Sequence, residues 1–426
     1  MNKRLVWIII LFSLSFGYLL AQSTEPAWEN NFSRGEYLQI KLVTIDPGDE
    51  LTMWWGHTAL IVEDLRFHSS LFYNYGIFSF EQENFIRNFA MGRLIFWVAA
   101  WNTEGALNYY QSLNRTIRIQ ILDLSPERRL ELARFLDHNI LPENREYLYD
   151  HYNDNCSTRI RDLIDKMVDG QFAQSCSQAG RMTLRQHTRR HTHQHFWMDL
   201  LLMFLMNDTI DKPVTRWQEM FLPTELERNV QNLTLTDSSN VHRKFVAENL
   251  LFFEGSERPP VPEFAPQHWP VTLALGGFLA MLGFYLALLY QNQAAGSKFL
   301  FGIYHSLLGL VCGLAGLALF FMANFTDHIV TYHNENLYLA NPLTLILIFS
   351  GMSIIRNRPF KQKFTLYLSC TLAALGILAL TLKVFPAYDQ DNWDIISLLL
   401  PIWLTLAGSW LWINKKSSGG IIRDDG

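Results

Sequence analysis

At 426 residues the chain is longer than one ordinary domain needs, and 49% of it is hydrophobic against 18% charged. That mixture suits neither a disordered chain nor an ordinary soluble one, because the apolar excess is unevenly placed. The net charge of -5 argues against nucleic acid as a partner, which would call for a concentrated basic surface.

The first residues, MNKRLVWIIILFSLSFGYLLAQS, put Lys3 and Arg4 before an apolar run from Leu5 to Leu20 and the small Ala21. Residues 1–21 read as a signal peptide or N-terminal anchor. Leu19 at the -3 position leaves cleavage open, and either outcome exports the chain beyond Ala21. Residues 36–45 (EYLQIKLVTI), 57–63 (HTALIVE) and 71–80 (LFYNYGIFSF) read as strands, the second introduced by the turn-rich DPGDE. A short helix is expected over 83–92, and further strands over 93–101 and 115–124. Ser125 followed by Pro126 opens a helix through about Asn139. Asn155 or a neighbour caps another helix beginning near Cys156, with Gly170 as its stop.

From there to about residue 255 the chain reads as helical. Residues 196–206 (FWMDLLLMFLM) are too short to span and suggest a buried or interfacial helix. The expected class is α+β, a small antiparallel sheet with helices packed on it, forming an export-side domain over residues 22–258.

Pro259, Pro260, Pro262 and Pro266 mark a linker over 259–268. Beyond it, apolar stretches run 269–290, 299–323, 337–355, 364–385 and 395–413. Each is near the ~20 residues that cross a bilayer, so an α-helical transmembrane bundle of about five helices is expected. Residues 414–426 form the tail. Arg356, Arg358, Lys361 and Lys363 crowd one loop, Lys298 sits in another, and Lys415 and Lys416 come after the last stretch. The alternate loops 324–336 and 386–394 carry acidic residues and neither Lys nor Arg. Positive loops stay in the cytoplasm, so the soluble domain and those two loops face the periplasm, at a bacterial inner membrane. His328 and His333 on the first of these loops belong either to a solvated turn or to a polar lid that touches a substrate headgroup.

Cys312 and Cys370 lie in apolar stretches and read as core thiols, while an oxidising compartment permits a disulfide between Cys156 and Cys176. Cys156 also has a chemical reading. A helix start offers unpaired N–H groups and positive potential, which favour a thiolate and could hold an oxyanion. The inert alternative is a buried thiol. His57, opening a strand after Gly56, is the candidate base, against the alternative of a structural histidine. Asn74 in the next strand is placed to orient the imidazole, in competition with Tyr75 and His68.

His187, His191 and His195 fall at i, i+4 and i+8, a spacing that could bind zinc. Arg189, Arg190 and His193 among them favour a basic surface meeting lipid headgroups, and no metal or other cofactor is expected. Arg159, Arg161 and Asp162 read as ion-paired structure, although Arg159 could contact a phosphate.

The segments WGHTALIV, YNYGIFSF, NFAMG and YDHYNDNCSTRIRD, in this order, resemble the Lnb-type lipoprotein N-acyltransferase family of Bacteroidota. MDLLLMFLMNDTIDKP and EMFLPTEL, together with the order of signal segment, periplasmic domain and membrane bundle, extend the likeness over nearly the whole chain. The resemblance implies a Cys–His enzyme with His57 and Cys156 at the matching positions and a permuted papain-like, NlpC-type fold.

The expected reaction moves an acyl chain from a membrane phospholipid or other glycerolipid, through a thioester, to the N-terminal amine of a diacylated lipoprotein. Cys156, His57 and Asn74 are then catalytic, and Asn155, Tyr75, Arg159, His328 and His333 are candidate substrate contacts. A periplasmic cysteine hydrolase acting on cell-wall peptide shares the dyad. A non-catalytic lipid-binding protein shares the bundle.

Overall fold

The structure, a computed structural model, describes residues 22–23, 27–29, 32–236, 240–358 and 362–419. The signal or anchor segment expected over 1–21 and Lys361 of the basic loop lie outside the described residues. The described chain forms two compact units. The first takes the residues up to Phe89, Arg93–His191 and Pro213–Val261; the second takes Ala90–Gly92, Thr192–Lys212 and the chain from Pro262 on. The apolar helix Phe196–Leu205 therefore groups with the C-terminal helices and not with the sheet.

The first unit is α+β, as expected. Its strands are β1 (Gln22–Ser23), β2 (Leu38–Ile45), β3 (His57–Asp64), β4 (Ser69–Ile77), β5 (Ile95–Asn102), β6 (Ile117–Leu122), β7 (Glu146–Leu148), β8 (Thr234–Thr236), β9 (His242–Lys244) and β10 (Val246–Phe253). Eight of them form one sheet in the order β1-β5-β4-β3-β2-β6-β10, with β7 paired to β5, and β8 and β9 make a separate ribbon. Every pairing is antiparallel.

Strands β2 and β3 are covered on both faces, so they read as nearly continuous apolar runs. On one face Leu38, Ile40, Leu42, Leu60 and Val62 share a core with Leu132, Ala133 and Leu136 of the Pro126–Asn139 helix. Ile160, Leu163 and Ile164 of the Cys156–Met167 helix join them, at the spacing that gives a helix one apolar stripe. On the other face Val43, Ile45, Ala59 and Ile61 pack with Ala106, Leu107 and Tyr110 of the Thr103–Ser112 helix. Each such Leu or Ile contributes ~1.5–3 kcal/mol when fully buried. The Pro126–Asn139 helix starts as the sequence predicts, with the Ser125 side chain accepting from the Arg128 N–H.

The stretch approaching residue 255 is not helical throughout. β10 completes the sheet by pairing with β6. In VAENLLFF only Val246 is buried, and residues 247–252 are exposed. No periodic apolar stripe marks this segment, and its conformation is decided by ladder bonds to a strand far upstream.

Among the described residues the second unit carries four helices long and apolar enough to cross a membrane: Trp269–Gln291, Ser297–Phe325, Lys363–Leu382 and Trp393–Lys416. The fifth expected span is broken, Ile329–Tyr338 and Pro342–Ile355 meeting at a 53° bend. The chain is thus a multi-pass membrane protein. Gly309, Gly313 and Gly316 let the segment around Asn341–Ile348 approach the second long helix closely; a Cβ on Gly316 would lie 2.5 Å from the Asn341 backbone.

The loop holding His328 and His333 is not a solvated turn. Thr331, Asn334, Glu335 and Asn336 within it are buried. Lys383 pairs with Glu335, and Gln390 donates to Asn334 Oδ1 and to the Met206 carbonyl. Asn334 and Asn336 donate to the carbonyls of Leu205 and Phe204. Partnered this way, polar groups can be buried without large cost.

Candidate active site

Strand β3 begins at His57, and its neighbour β4 loses regular register between Tyr75 and Ile77. Gly76, at that irregularity, holds φ +96°, a conformation natural to glycine. The Cys156–Met167 helix starts beside it. A Cβ on Gly76 would stand 3.8 Å from Cys156 Cβ, 3.8 Å from His57 Cε1 and 4.0 Å from the Tyr147 hydroxyl. The thiol and the imidazole singled out by sequence therefore line one notch, and both residues retain some accessible surface.

His57 Nε2 lies 2.7 Å from Asn74 Oδ1. A carboxamide oxygen only accepts, so Nε2 carries the proton and Nδ1 keeps a lone pair. The Asn74 amide is held from behind, its Nδ2 donating to the Tyr110 hydroxyl at 3.4 Å. The Arg115 guanidinium sits 5.3 Å from the centre of the Tyr110 ring, with Nε donating to the Asp46 carbonyl at 2.6 Å. Of the three residues that sequence offered to orient His57, Asn74 does so. Tyr75 turns to the opposite face of β4, where its hydroxyl donates to Asn139 Oδ1 at 2.7 Å. His68 lies in the turn joining β3 to β4, at the far end of both strands.

Burial pushes the Cys156 thiol up to about 11, against the opposing pull of the Thr58, Ser157 and Cys156 backbone N–H groups. Burial likewise pulls His57 down to about 4, helped by the charge on Arg115. At neutral pH the site therefore holds a thiol beside a neutral imidazole. The helix-start amides are present as expected, but desolvation outweighs them, so no standing thiolate is stored. All four cysteines are free, which excludes a Cys156–Cys176 disulfide in this structure.

Asn155 builds the helix start. Its Oδ1 accepts from the Ser157 and Thr158 N–H groups at 2.8 and 2.9 Å, and Thr158 Oγ1 accepts from the Asn155 N–H at 2.8 Å. Its Nδ2 donates to the carbonyls of His151 and Phe221. With every polar atom of the side chain engaged, Asn155 is a positioning residue and not the substrate contact expected. Asn155→Ala is predicted to cost about 1–2 kcal/mol of stability, read as a lowered denaturation midpoint, and to slow alkylation chemistry at the displaced Cys156.

Arg159 also has an internal partner. Its Nε and Nη2 meet Asp154 Oδ1 and Oδ2 at 2.6 and 2.8 Å, and its guanidinium covers the Tyr147 ring at 3.8 Å. His328 and His333 belong to the second unit; His328 precedes the turn Ile329–Thr331, half-buried, and His333 is exposed.

The His-rich helix Leu184–Thr192 is not a basic surface. His187 and Arg185 are buried, as are Arg189 and Arg190. Glu219 accepts from His187 Nε2 at 2.8 Å, while Glu225 pairs with Arg181, Arg190 and Arg228. His191 faces the Trp54 carbonyl at 2.8 Å. The i, i+4 histidines thus serve different partners, and among the described residues no His, Cys, Asp and Glu cluster could hold a metal.

An aromatic series runs from the surface to the thiol. Phe80, Ile86 and Phe89 are 64%, 82% and 57% exposed. Phe78 meets Phe80, Phe85 and Phe96 at 5.1, 6.3 and 5.0 Å between ring centres. Phe96 in turn meets Tyr149 at 4.2 Å and Tyr147 at 6.4 Å, the two phenols whose ionisation is opposed first by burial and then by the nearby Cys156. Sequence reasoning missed Tyr110, Tyr147 and this series, because aromatic residues at apolar positions read as core.

The Lnb N-terminal periplasmic domain matches residues 24–190, and the Lnb transmembrane domain matches residues 270–418. No curated protein and no solved structure matches the chain.

Proposed function

The chain belongs to the Lnb family, and from that premise we propose that it is a thiol-dependent lipoprotein N-acyltransferase of the bacterial inner membrane, working on the periplasmic side. The observation that carries this reading is the convergence of Cys156 and an Asn74-oriented His57 over Gly76. The exposed Phe80 and Phe89, which reach Phe96 and Tyr149 beside the thiol through ring contacts with Phe78 and Phe85, favour an acyl chain over a polar cell-wall peptide.

In the first half-reaction His57 Nδ1 takes the thiol proton as sulfur attacks the ester carbonyl of a phospholipid or other glycerolipid. A tetrahedral oxyanion forms; the C–O bond breaks, the imidazolium proton passes to the departing alkoxide, and a lyso-lipid leaves. In the second, the α-amine of a diacylglyceryl-cysteine lipoprotein attacks the thioester. Imidazole accepts an amine proton and delivers it to sulfur as the C–S bond breaks, leaving an amide and the starting thiol. Because His57 and Cys156 begin neutral, the sulfur attacks as its proton is handed to the imidazole and not as a stored thiolate. The thioester persists only where water is scarce, and a partly enclosed notch provides that condition.

Mass spectrometry of lipoproteins from a deletion strain tests the assignment. The N-acyl chain should be missing and should return with the wild-type gene. Unchanged lipoproteins would remove it in favour of a hydrolase or a binding protein.

A further inference from the structure

The tetrahedral intermediate needs donors for its oxyanion, and the helix start is largely committed. The Ser157 and Thr158 amides already donate to Asn155 Oδ1. Another donor stands at the notch. Tyr147 is 6% exposed, and among the described residues its hydroxyl is buried with no hydrogen-bond partner. Buried hydroxyls are normally satisfied, so an orphaned one calls for an explanation. This one lies 4.0 Å from the point over Gly76 that is 3.8 Å from both Cys156 Cβ and His57 Cε1.

Resting on the acyltransferase reading, we propose that the Tyr147 hydroxyl donates the side-chain hydrogen bond to the oxyanion formed when Cys156 attacks its acyl donor. The missing Cβ at Gly76 leaves room between the three groups for the carbonyl oxygen. β7 fixes the tyrosine backbone by pairing Tyr147 with Phe96 of β5. Arg159, anchored by Asp154, lies 3.8 Å over the ring. A cation on the phenol face withdraws electron density and makes the hydroxyl a better donor. The hydroxyl is unengaged before substrate arrives, so it is free to strengthen its bond as negative charge develops on the carbonyl oxygen. Stabilisation confined to the transition state raises kcat without tightening substrate binding.

The test uses the full chain in detergent micelles containing phospholipid, with Cys156→Ala as the reference and Tyr147→Phe as the probe. Tyr147→Phe keeps the ring and its contact with Arg159. It should lower kcat for acyl-enzyme formation by about 100-fold, with KM altered less than about threefold. Binding of a long-chain aldehyde, which forms a thiohemiacetal on Cys156, should weaken comparably. Iodoacetamide alkylation of Cys156 involves no oxyanion and should proceed at the wild-type rate. Wild-type kcat in Tyr147→Phe overturns the proposal while leaving the acyltransferase reading intact, and so does an equal loss in alkylation, the mark of a structural role. Undiminished transfer by Cys156→Ala overturns both.

Discussion

Cys156→Ala in the full chain is expected to abolish N-acylation, with a loss on the order of 10⁴-fold or more. The reason is chemical: without sulfur no thioester forms, and only direct attack by a positioned amine remains. Cys156→Ser should be nearly as inactive. The imidazole of His57, held near 4, is a weak base even for a thiol raised to about 11, and an alkyl alcohol holds its proton more firmly still. Complementation of a deletion strain, read by lipoprotein mass, checks both variants. Full complementation by Cys156→Ala would mark the protein as a non-catalytic lipid binder.

The second large effect is at His57. His57→Ala should slow acyl-enzyme formation by about 10²–10⁴-fold, since the thiol would have to ionise unaided inside a desolvated notch. The pH dependence has its origin in the same environment. The wild-type kcat/KM should have its acidic limb near pH 4, where the folded imidazole protonates, and no inflection near 6.5. Stability moves in the same direction. The unfolded imidazole binds its proton near 6.5, so the contribution of neutral His57 is fully present above that value. It is lost as pH falls from there toward 4. A rate profile with its acidic limb at 6.5 would show that the imidazole is not enclosed as described.

Much of the first unit was legible because local chemistry and tertiary packing agree. The runs at Leu38–Ile45 and His57–Asp64 carry apolar residues on both faces and became central strands. Asn155 capped the helix that begins at Cys156. The failures share a physical cause: each was decided by a distant partner. Val246–Phe253 became an edge strand through β6. The Leu184–Thr192 helix is buried because Glu219 and Glu225, on later segments, compensate its charge.

The loop with His328 and His333 is tied inward by Lys383 and Gln390. In the site, Asn74 was legible by its strand position, but its support from Tyr110 was not. Nothing local distinguishes Tyr110 from any other aromatic on the core face of a helix. The thiol's protonation was misjudged for the same reason. A helix start is visible in sequence, whereas the enclosure that outweighs it is a property of the assembled fold.

The most direct measurement is the intact mass of the purified full chain after incubation with a phospholipid, with no lipoprotein present. One fatty-acyl group should be added, on the peptide containing Cys156, and hydroxylamine or a diacylated lipopeptide amine should discharge it. A chain that consumes phospholipid without ever carrying that adduct, or carries it elsewhere, would contradict covalent acyl transfer through Cys156.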